Sequence, residues 1–324
     1  MQSLSHFQQQ IEKGLKDLSL DGKPVELYEP IRYMLQLGGK RIRPALLLMS
    51  HEMFGGNPDS VLNAALGIEV FHNFTLMHDD IMDKAPLRRS QQTVHEKWNT
   101  NIAILSGDTM FVQSCQLMTD VKNEHVKDVL RVFYKTAIEV CEGQQWDMNF
   151  ESLDSVSIDE YIHMISLKTA VLLGCSLSVG AICANAPKSD SDHLYEFGKN
   201  LGIAFQLQDD ILDAYGDSEK FGKQVGGDIL SNKKTFLLIT ALEQAKGETA
   251  IELKNWIQSK SFDAEKKVTA VKQIFDSLSI RSQAEAAMNS FFVTAMKHLE
   301  AINLPSAKKE LLTDFAEKLM VRDR

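Results

Sequence analysis

Shortages narrow this sequence first. Only seven of its 324 residues are proline and four are cysteine. So little proline, with few turn dipeptides, favours long uninterrupted helices. No stretch alternates apolar and polar residues between turn signals, which argues against a sheet with one wet face. Cys115, Cys141, Cys175 and Cys183 form no Cys-x-x-Cys pair, and no histidine stands at zinc-finger spacing. They read as reduced thiols of a cytoplasmic protein. Basic charge is also short: 35 Lys+Arg against 44 Asp+Glu leave a net charge of −9. That sign excludes a broad nucleic-acid footprint and a polybasic membrane anchor. Any anionic ligand must therefore sit on local Lys/Arg clusters, with metal help. Residues 1–21 are polar and lack the apolar core of a signal peptide.

Apolar material is plentiful, at 44% of the chain, enough for a sizeable core. Helical periodicity runs through about 25–37, 44–54, 59–83, 99–120, 124–149, 158–185, 190–216, 233–246, 264–279, 281–300 and 306–321. The fold class expected is all-α: a large helical bundle around a deep central cavity, with 1–324 as a single domain. No Pro/Ser-rich linker or low-complexity stretch divides the chain. Residues 169–187 carry no charge over 19 residues and could just span a bilayer. Gly174, Ser176, Ser178, Gly180 and Asn185 dilute that run, so a buried core helix is expected rather than a membrane span.

The strongest signal is an acidic motif present twice. Asp79-Asp80-Ile-Met-Asp83 and Asp209-Asp210-Ile-Leu-Asp213 both read Asp-Asp-x-x-Asp. At ordinary Asp frequency, two copies by chance are expected in about one such chain in a thousand. The outer carboxylates of each copy, at i and i+4, share a helix face, repel one another, and sit at the negative end of the helix dipole. Hard divalent cations offset that repulsion, and Mg²⁺ completes its octahedron with water and phosphate oxygens. A solvated acidic face is the bland alternative. An EF-hand is excluded, because no Asp-rich 12-residue loop with a central glycine occurs.

Basic clusters lie close by. Gly38-Gly39-Lys40-Arg41-Ile-Arg43-Pro44 joins two helices, Arg88-Arg89 follows Asp83, and Lys223, Lys233 and Lys234 follow the second motif. Lysine supplies point charge and arginine paired donors for a diphosphate. Backbone N–H groups of the glycine pair can also approach phosphate. No Walker A loop is present. A di-iron helix protein would need Glu-x-x-His ligands from facing helices, and Glu69-x-x-His72 is the one such pair near a motif.

With these motifs in this order, the sequence resembles the trans-isoprenyl diphosphate synthases, the polyprenyl synthetase family. Gly143-Gln144-x-x-Asp147, Lys168-Thr169, Phe205-Gln206 and Gly222-Lys223-x-x-Gly226-x-Asp228 complete a match that runs almost end to end. The resemblance implies head-to-tail condensation of isopentenyl diphosphate with an allylic diphosphate, three Mg²⁺ per active site, and a homodimer. It implies that Asp79 and Asp83 bind Mg²⁺ on the allylic diphosphate and that Asp209 binds a further Mg²⁺. Arg88, Lys168 and Lys223 would balance the leaving diphosphate, with Lys233 nearby. Gly39, Lys40, Arg43, His72 and Arg89 would hold isopentenyl diphosphate. Thr169 and Gln206 would face the developing cation. A buried structural role is the alternative for His72. The family commonly has glycine after the paired arginines, where this chain has Ser90. Arg322 and Arg324 at the end could cover the entrance or lie exposed. A terpene cyclase needs no isopentenyl diphosphate site, and a non-catalytic partner subunit tends to lose the Asp motifs; both motifs are complete here.

Product length should be set below the first motif. At 1.5 Å per residue, Thr75 lies about 6 Å below Asp79, Phe74 about 7.5 Å and Phe71 about 12 Å. Thr75 is small and shares the Asp79 face. Phe74 and Phe71 are bulky and stand further round the helix. In the family an aromatic five positions before the motif generally limits the product, which points to C20, then C15, with C30 or longer last. The alternative is that both rings merely pack between helices.

Overall fold

The computed structural model describes residues 2–216 and 226–321. Helices dominate it, as expected. Several coincide with the periodic stretches: α2 (Val25–Gln36), α3 (Ile42–Met53), α4 (Leu62–Met82), α6 (Thr100–Thr119), α7 (Asn123–Ser152) and α10 (Lys188–Tyr215). So do α14 (Ala264–Ser277), α15 (Ile280–Ala301) and α16 (Ser306–Met320). The expected helix at 59–83 opens with a 3-10 turn, Pro58–Val61, in front of α4.

Several elements were not expected. Helix α1 (Leu4–Asp17) has an apolar stripe one residue wide, Phe7, Ile11 and Leu15, and starts at Ser3, whose hydroxyl accepts from the His6 N–H. Helices α5 (Val94–Lys97), α11 (Gly227–Leu230) and α13 (Gly247–Gln258) also lie outside the expected runs. The stretch at 233–246 becomes helical only at α12 (Phe236–Gln244). Leu87–Arg88 (β1) pairs antiparallel with Gln91–Gln92 (β2), too short a ribbon to display a period. Its two turn residues, Arg89 and Ser90, have φ of 52° and 62°. That is the mirror-image hairpin turn, in which glycine is the easy residue, so Ser90 preserves the loop at some backbone cost.

The expected helix at 158–185 is not regular. It runs as α8 (Ile158–Ile165), a π-helical turn at Ser166–Ala170, and α9 (Val171–Cys183). Residues Ile158–Cys183 are long and apolar enough to cross a membrane, but 83% of their most apolar 18-residue window is buried. Within α9 the small residues serve packing. Ser50 donates to the Leu177 carbonyl at 2.6 Å, and the Ser178 and Ser191 hydroxyls are 2.9 Å apart.

The chain divides into two compact units. One comprises residues 1–135, 175–195 and 303–311; the other comprises 136–174, 196–302 and 312–324. In the first, α4 packs along α6 and is flanked by α1, α2 and α3. The second has two apolar clusters. Tyr161, Ile165, Ile203, Leu207 and Phe236 belong to one, and Leu237, Val271, Ile274 and Phe275 to the other.

Candidate active site

In the first unit, α4 ends on the first acidic motif. Asp79 is half-buried, Asp83 is exposed at the C-cap, and Asp80 between them is 2% exposed. Asp80 does not share the outer face. It accepts from Arg88 Nε at 2.9 and 2.8 Å and pairs with Arg88 Nη2 at 2.7 Å. Burial pushes the Asp80 carboxyl up and the Arg88 contacts pull it back. One edge of the Arg88 guanidinium is thereby anchored, while Nη1 is outside these contacts. The hairpin β1–β2 brings Arg88 to this position.

The linker from α2 to α3 builds the basic wall. Arg41 has φ 48° and is 3% exposed. Its guanidinium donates to Glu12 at 2.7 Å, to Glu69 at 2.5 Å and to the Leu35 carbonyl at 2.7 Å. Arg41 therefore ties α1, α2 and α4 together and is not itself a ligand-binding group. Glu69 also accepts from Asn73 at 3.0 Å. This commitment removes Glu69-x-x-His72 as a metal-ligand pair. Among the described residues no three His, Cys, Asp or Glu side chains form a metal cage. Carboxylates that leave several coordination positions to water and phosphate fit Mg²⁺ better than a closed protein cage would.

Arg43 and His72 meet on the same wall, Nη1 to Nε2 at 3.4 Å. Burial and the charges of Arg43, Arg89, Arg88 and Arg41 hold His72 well below the usual histidine range, so it is neutral near pH 7. Arg43 Nε is buried without a hydrogen-bond partner among the described residues. Gly39, at φ 151°, lies against Arg89: a Cβ built there would be 3.1 Å from both terminal nitrogens. Lys40 is exposed, and its carbonyl accepts from Gln8 at 2.5 Å. Gly39, Arg43, His72 and Arg89 are thus brought together, with Arg88 and Arg41 adjoining.

Aromatic rings lie below the first motif. Phe71 is fully buried, 5.3 Å from Phe133 and 6.1 Å from Phe111 between centroids. Phe74 is half-buried, 5.4 Å from Phe111 and 4.9 Å from His78. Phe71 is thus enclosed by other rings, whereas Phe74 is less completely covered. The hydroxyl of Thr75 donates to the His72 carbonyl at 2.8 Å, a bond within its own helix.

In the second unit, α10 carries the other motif. Asp209 and Asp213 are half-buried, and Asp210 is 4% exposed. The buried Tyr161 hydroxyl donates to Asp210, and Gln206 lies 3.4 Å away. Burial pushes the Asp210 carboxyl up to about 7, against the opposing pull of the Tyr161 hydrogen bond. Asp213 accepts from the Asp228 N–H at 2.9 Å, so it fixes the following loop. Lys168 and Thr169 stand on the π turn, a distortion frequent at functional sites. Lys168 Nζ donates to Asp147 at 2.5 Å. Gly143 of α7 and Gly202 of α10 let other backbone come close to this turn. A Cβ on Gly143 would be 2.3 Å from the Lys168 nitrogen, and one on Gly202 2.7 Å from Ala170 Cα. Lys234 donates to the Phe150 carbonyl at 2.5 Å, whereas Lys233 is exposed. Lys223, Arg322 and Arg324 lie outside the described residues.

Sequence reasoning assigned no role to Arg41, Asp80, Asp147, Tyr161, Gly202 or Asp210. Arg41, Asp80, Asp147 and Asp210 stand inside the sequence motifs, and that membership is the signal that could have found them. Nothing in the spacing marks Tyr161 or Gly202.

Comparison with known proteins identifies the family. The polyprenyl synthetase family model matches residues 24–275. A geranylgeranyl pyrophosphate synthase of Geoglobus acetivorans is 36% identical over 315 residues, covering 97% of this chain and 96% of its own. A geranylgeranyl diphosphate synthase of Methanosarcina mazei is 39% identical over 251 residues, covering 75% and 78%. A solved geranylgeranyl pyrophosphate synthase superposes with a TM-score of 0.95 at 44% identity over 100% of both chains. This chain belongs to the polyprenyl synthetase family and is a trans-prenyltransferase of the all-α isoprenoid synthase fold.

Proposed function

We propose that the protein condenses isopentenyl diphosphate head-to-tail with an allylic diphosphate and releases an all-trans C20 diphosphate, with C15 the next candidate. The observation that carries this reading is the guanidinium cluster. In a chain of net charge −9, Arg43 Nε is buried without a hydrogen-bond partner among the described residues, beside a neutral His72, and Arg88 and Arg89 adjoin. Unneutralised donors of this kind suit a diphosphate. Gly39, Lys40, Arg43, His72 and Arg89 bind isopentenyl diphosphate. Arg88, held by Asp80, turns its free edge to the allylic diphosphate, with Lys168, Lys223 and Lys233 as further cations.

The outer carboxylates Asp79, Asp83 and Asp209 would hold Mg²⁺, with three ions per site. Mg²⁺ held there would supply positive charge to offset that of the leaving diphosphate. Preorganised cations contribute to the same end. Thr169 and Gln206 present oxygen dipoles to the allylic carbon as positive charge develops there. The apolar rings below Asp79 keep water from that cation. The double bond of isopentenyl diphosphate attacks, and the proton then lost passes to the departing diphosphate, so no protein nucleophile takes part.

The family model runs through both compact units, which supports treating 1–324 as one functional domain. An apolar face on α6, with Leu105 58% and Val112 57% exposed, supports a homodimer. Four free cysteines suit the cytoplasm. The test is incubation with Mg²⁺, labelled isopentenyl diphosphate and each of the C5, C10 and C15 allylic primers. C20 should accumulate; no incorporation, or a main product of C30 or longer, would overturn the reading.

A further inference from the structure

A lysine outside every motif holds the loop that follows the second acidic motif. Lys267 of α14 is fully buried. Its ammonium donates to Asn232 Oδ1 at 2.7 Å and to the Leu230 carbonyl at 3.2 Å, and it lies 4.2 Å from the Phe262 ring centroid. No carboxylate pairs with it among the described residues. A buried ammonium is expensive unless its donors are used. These donors are spent on the end of α11, where unsatisfied carbonyls and the helix dipole favour a cation. Asn232, at φ 56°, also donates to the Ile257 carbonyl at 3.1 Å, so one side chain links this loop to α13 and α14.

The loop is held from its other side by Asp213. Asp213 accepts from the Gly226 N–H through its carbonyl at 2.7 Å and from the Asp228 N–H through its carboxylate at 2.9 Å. The Lys233 N–H then donates to the Asp228 carbonyl at 2.9 Å. Asp228 and Lys233 are thus fixed by Asp213 in front and Lys267 behind. The geometry points to Lys267 as a positioning residue that sets the loop carrying Asp228 and Lys233 for diphosphate binding at the second acidic motif. This role rests on the reading of that motif as a metal–diphosphate site. Lys267 is fully buried and acts through Leu230 and Asn232.

The experiment compares Lys267→Met, which retains the unbranched stem, with Asn232→Gly, which retains the left-handed backbone and loses the acceptor. Val271→Ala, a cavity in the same apolar cluster, controls for general loosening. Amide hydrogen exchange is read first, without ligand. Exchange at Asp228 and Lys233 should rise about tenfold or more in both loop variants, the scale of one lost charge-assisted hydrogen bond. Amides of α12 should stay as in wild type. Binding of inorganic pyrophosphate by calorimetry is read second. The Mg²⁺ concentration for half-maximal binding should rise about threefold or more in the loop variants only. Unchanged exchange at both amides, or equal loosening by Val271→Ala, would overturn the role. Wild-type protein that binds no Mg²⁺–pyrophosphate would overturn the diphosphate reading instead, and the exchange result would still decide whether Lys267 is the clamp.

Discussion

The two Asp-Asp-x-x-Asp helices look alike in sequence and are built differently. In α4 the middle carboxylate, Asp80, is neutralised by a full positive charge, Arg88, which is itself a proposed diphosphate ligand. In α10 the middle carboxylate, Asp210, meets only an uncharged donor, Tyr161, whose hydrogen bond does not offset burial, and burial pushes its carboxyl up to about 7. Seven positions before each motif the contrast repeats. His72 faces four guanidiniums, whereas Gly202 lies against Ala170 of the π turn. Five positions before, α4 has the half-buried Phe74 and α10 the fully buried Ala204. The first helix thus gathers reactive and shape-setting groups. The second lets other backbone come close, so that Lys168 is presented from a neighbouring turn. In both, the inner carboxylate serves the protein; of the outer ones, Asp213 also holds the Asp228 N–H, and Asp79, Asp83 and Asp209 are the proposed metal ligands.

The comparison breaks most readily at the inner carboxylates. Asp80→Asn removes the charge that neutralises Arg88 and one of its two acceptor oxygens, and should lower unfolding stability by about 2 kcal/mol in urea titration. Asp210→Asn retains an acceptor for Tyr161 and should stay within about 1 kcal/mol of wild type. Equal losses would mean that the two motifs are built alike. Phe74→Ala sharpens the contrast at the fifth position. It should lengthen the product by at least one C5 unit in chromatography, with a stability loss below the 3–5 kcal/mol typical of a fully buried Phe. An unchanged product would leave Phe74 a packing residue like Phe71. The smallest effect concerns His72. Its folded pKa is depressed, so below about pH 6.5 the unfolded chain binds a proton that the folded chain does not, and stability falls as pH drops through that range. His72→Gln should flatten that slope between pH 7 and 5; an unaltered slope would show that His72 titrates alike in the folded and unfolded chain.

Much of the fold is legible because long helices impose a 3.6-residue period and end at Gly, Pro and Asn signals. The exceptions have local causes. The three buried apolar residues of α1 are too few to stand out from its polar background. The π turn at Ser166–Ala170 sits inside a continuous apolar run whose composition does not register the extra residue per turn. At the site, Lys40, Arg41 and Arg43 are equivalent as letters. Backbone conformation separates them: Arg41, at φ 48°, turns inward to Glu12 and Glu69, while Lys40 stays exposed. Asp79 and Asp80 are likewise indistinguishable until helix rotation sends one to the outer face and the other to Arg88.

The division of labour within a motif is tested most directly by titrating Mg²⁺ against prenyl-transfer rate for Asp79→Asn and Asp80→Asn side by side. Asp79→Asn should cut the rate at saturating Mg²⁺ by about 10²-fold or more, the scale of losing a preorganised charge stabiliser. It should also raise the Mg²⁺ needed for half-maximal rate, with unfolding stability preserved. Asp80→Asn should lose stability while its half-maximal Mg²⁺ stays at the wild-type value. The reverse pattern, with Asp80 governing Mg²⁺ and Asp79 governing stability, would contradict the account.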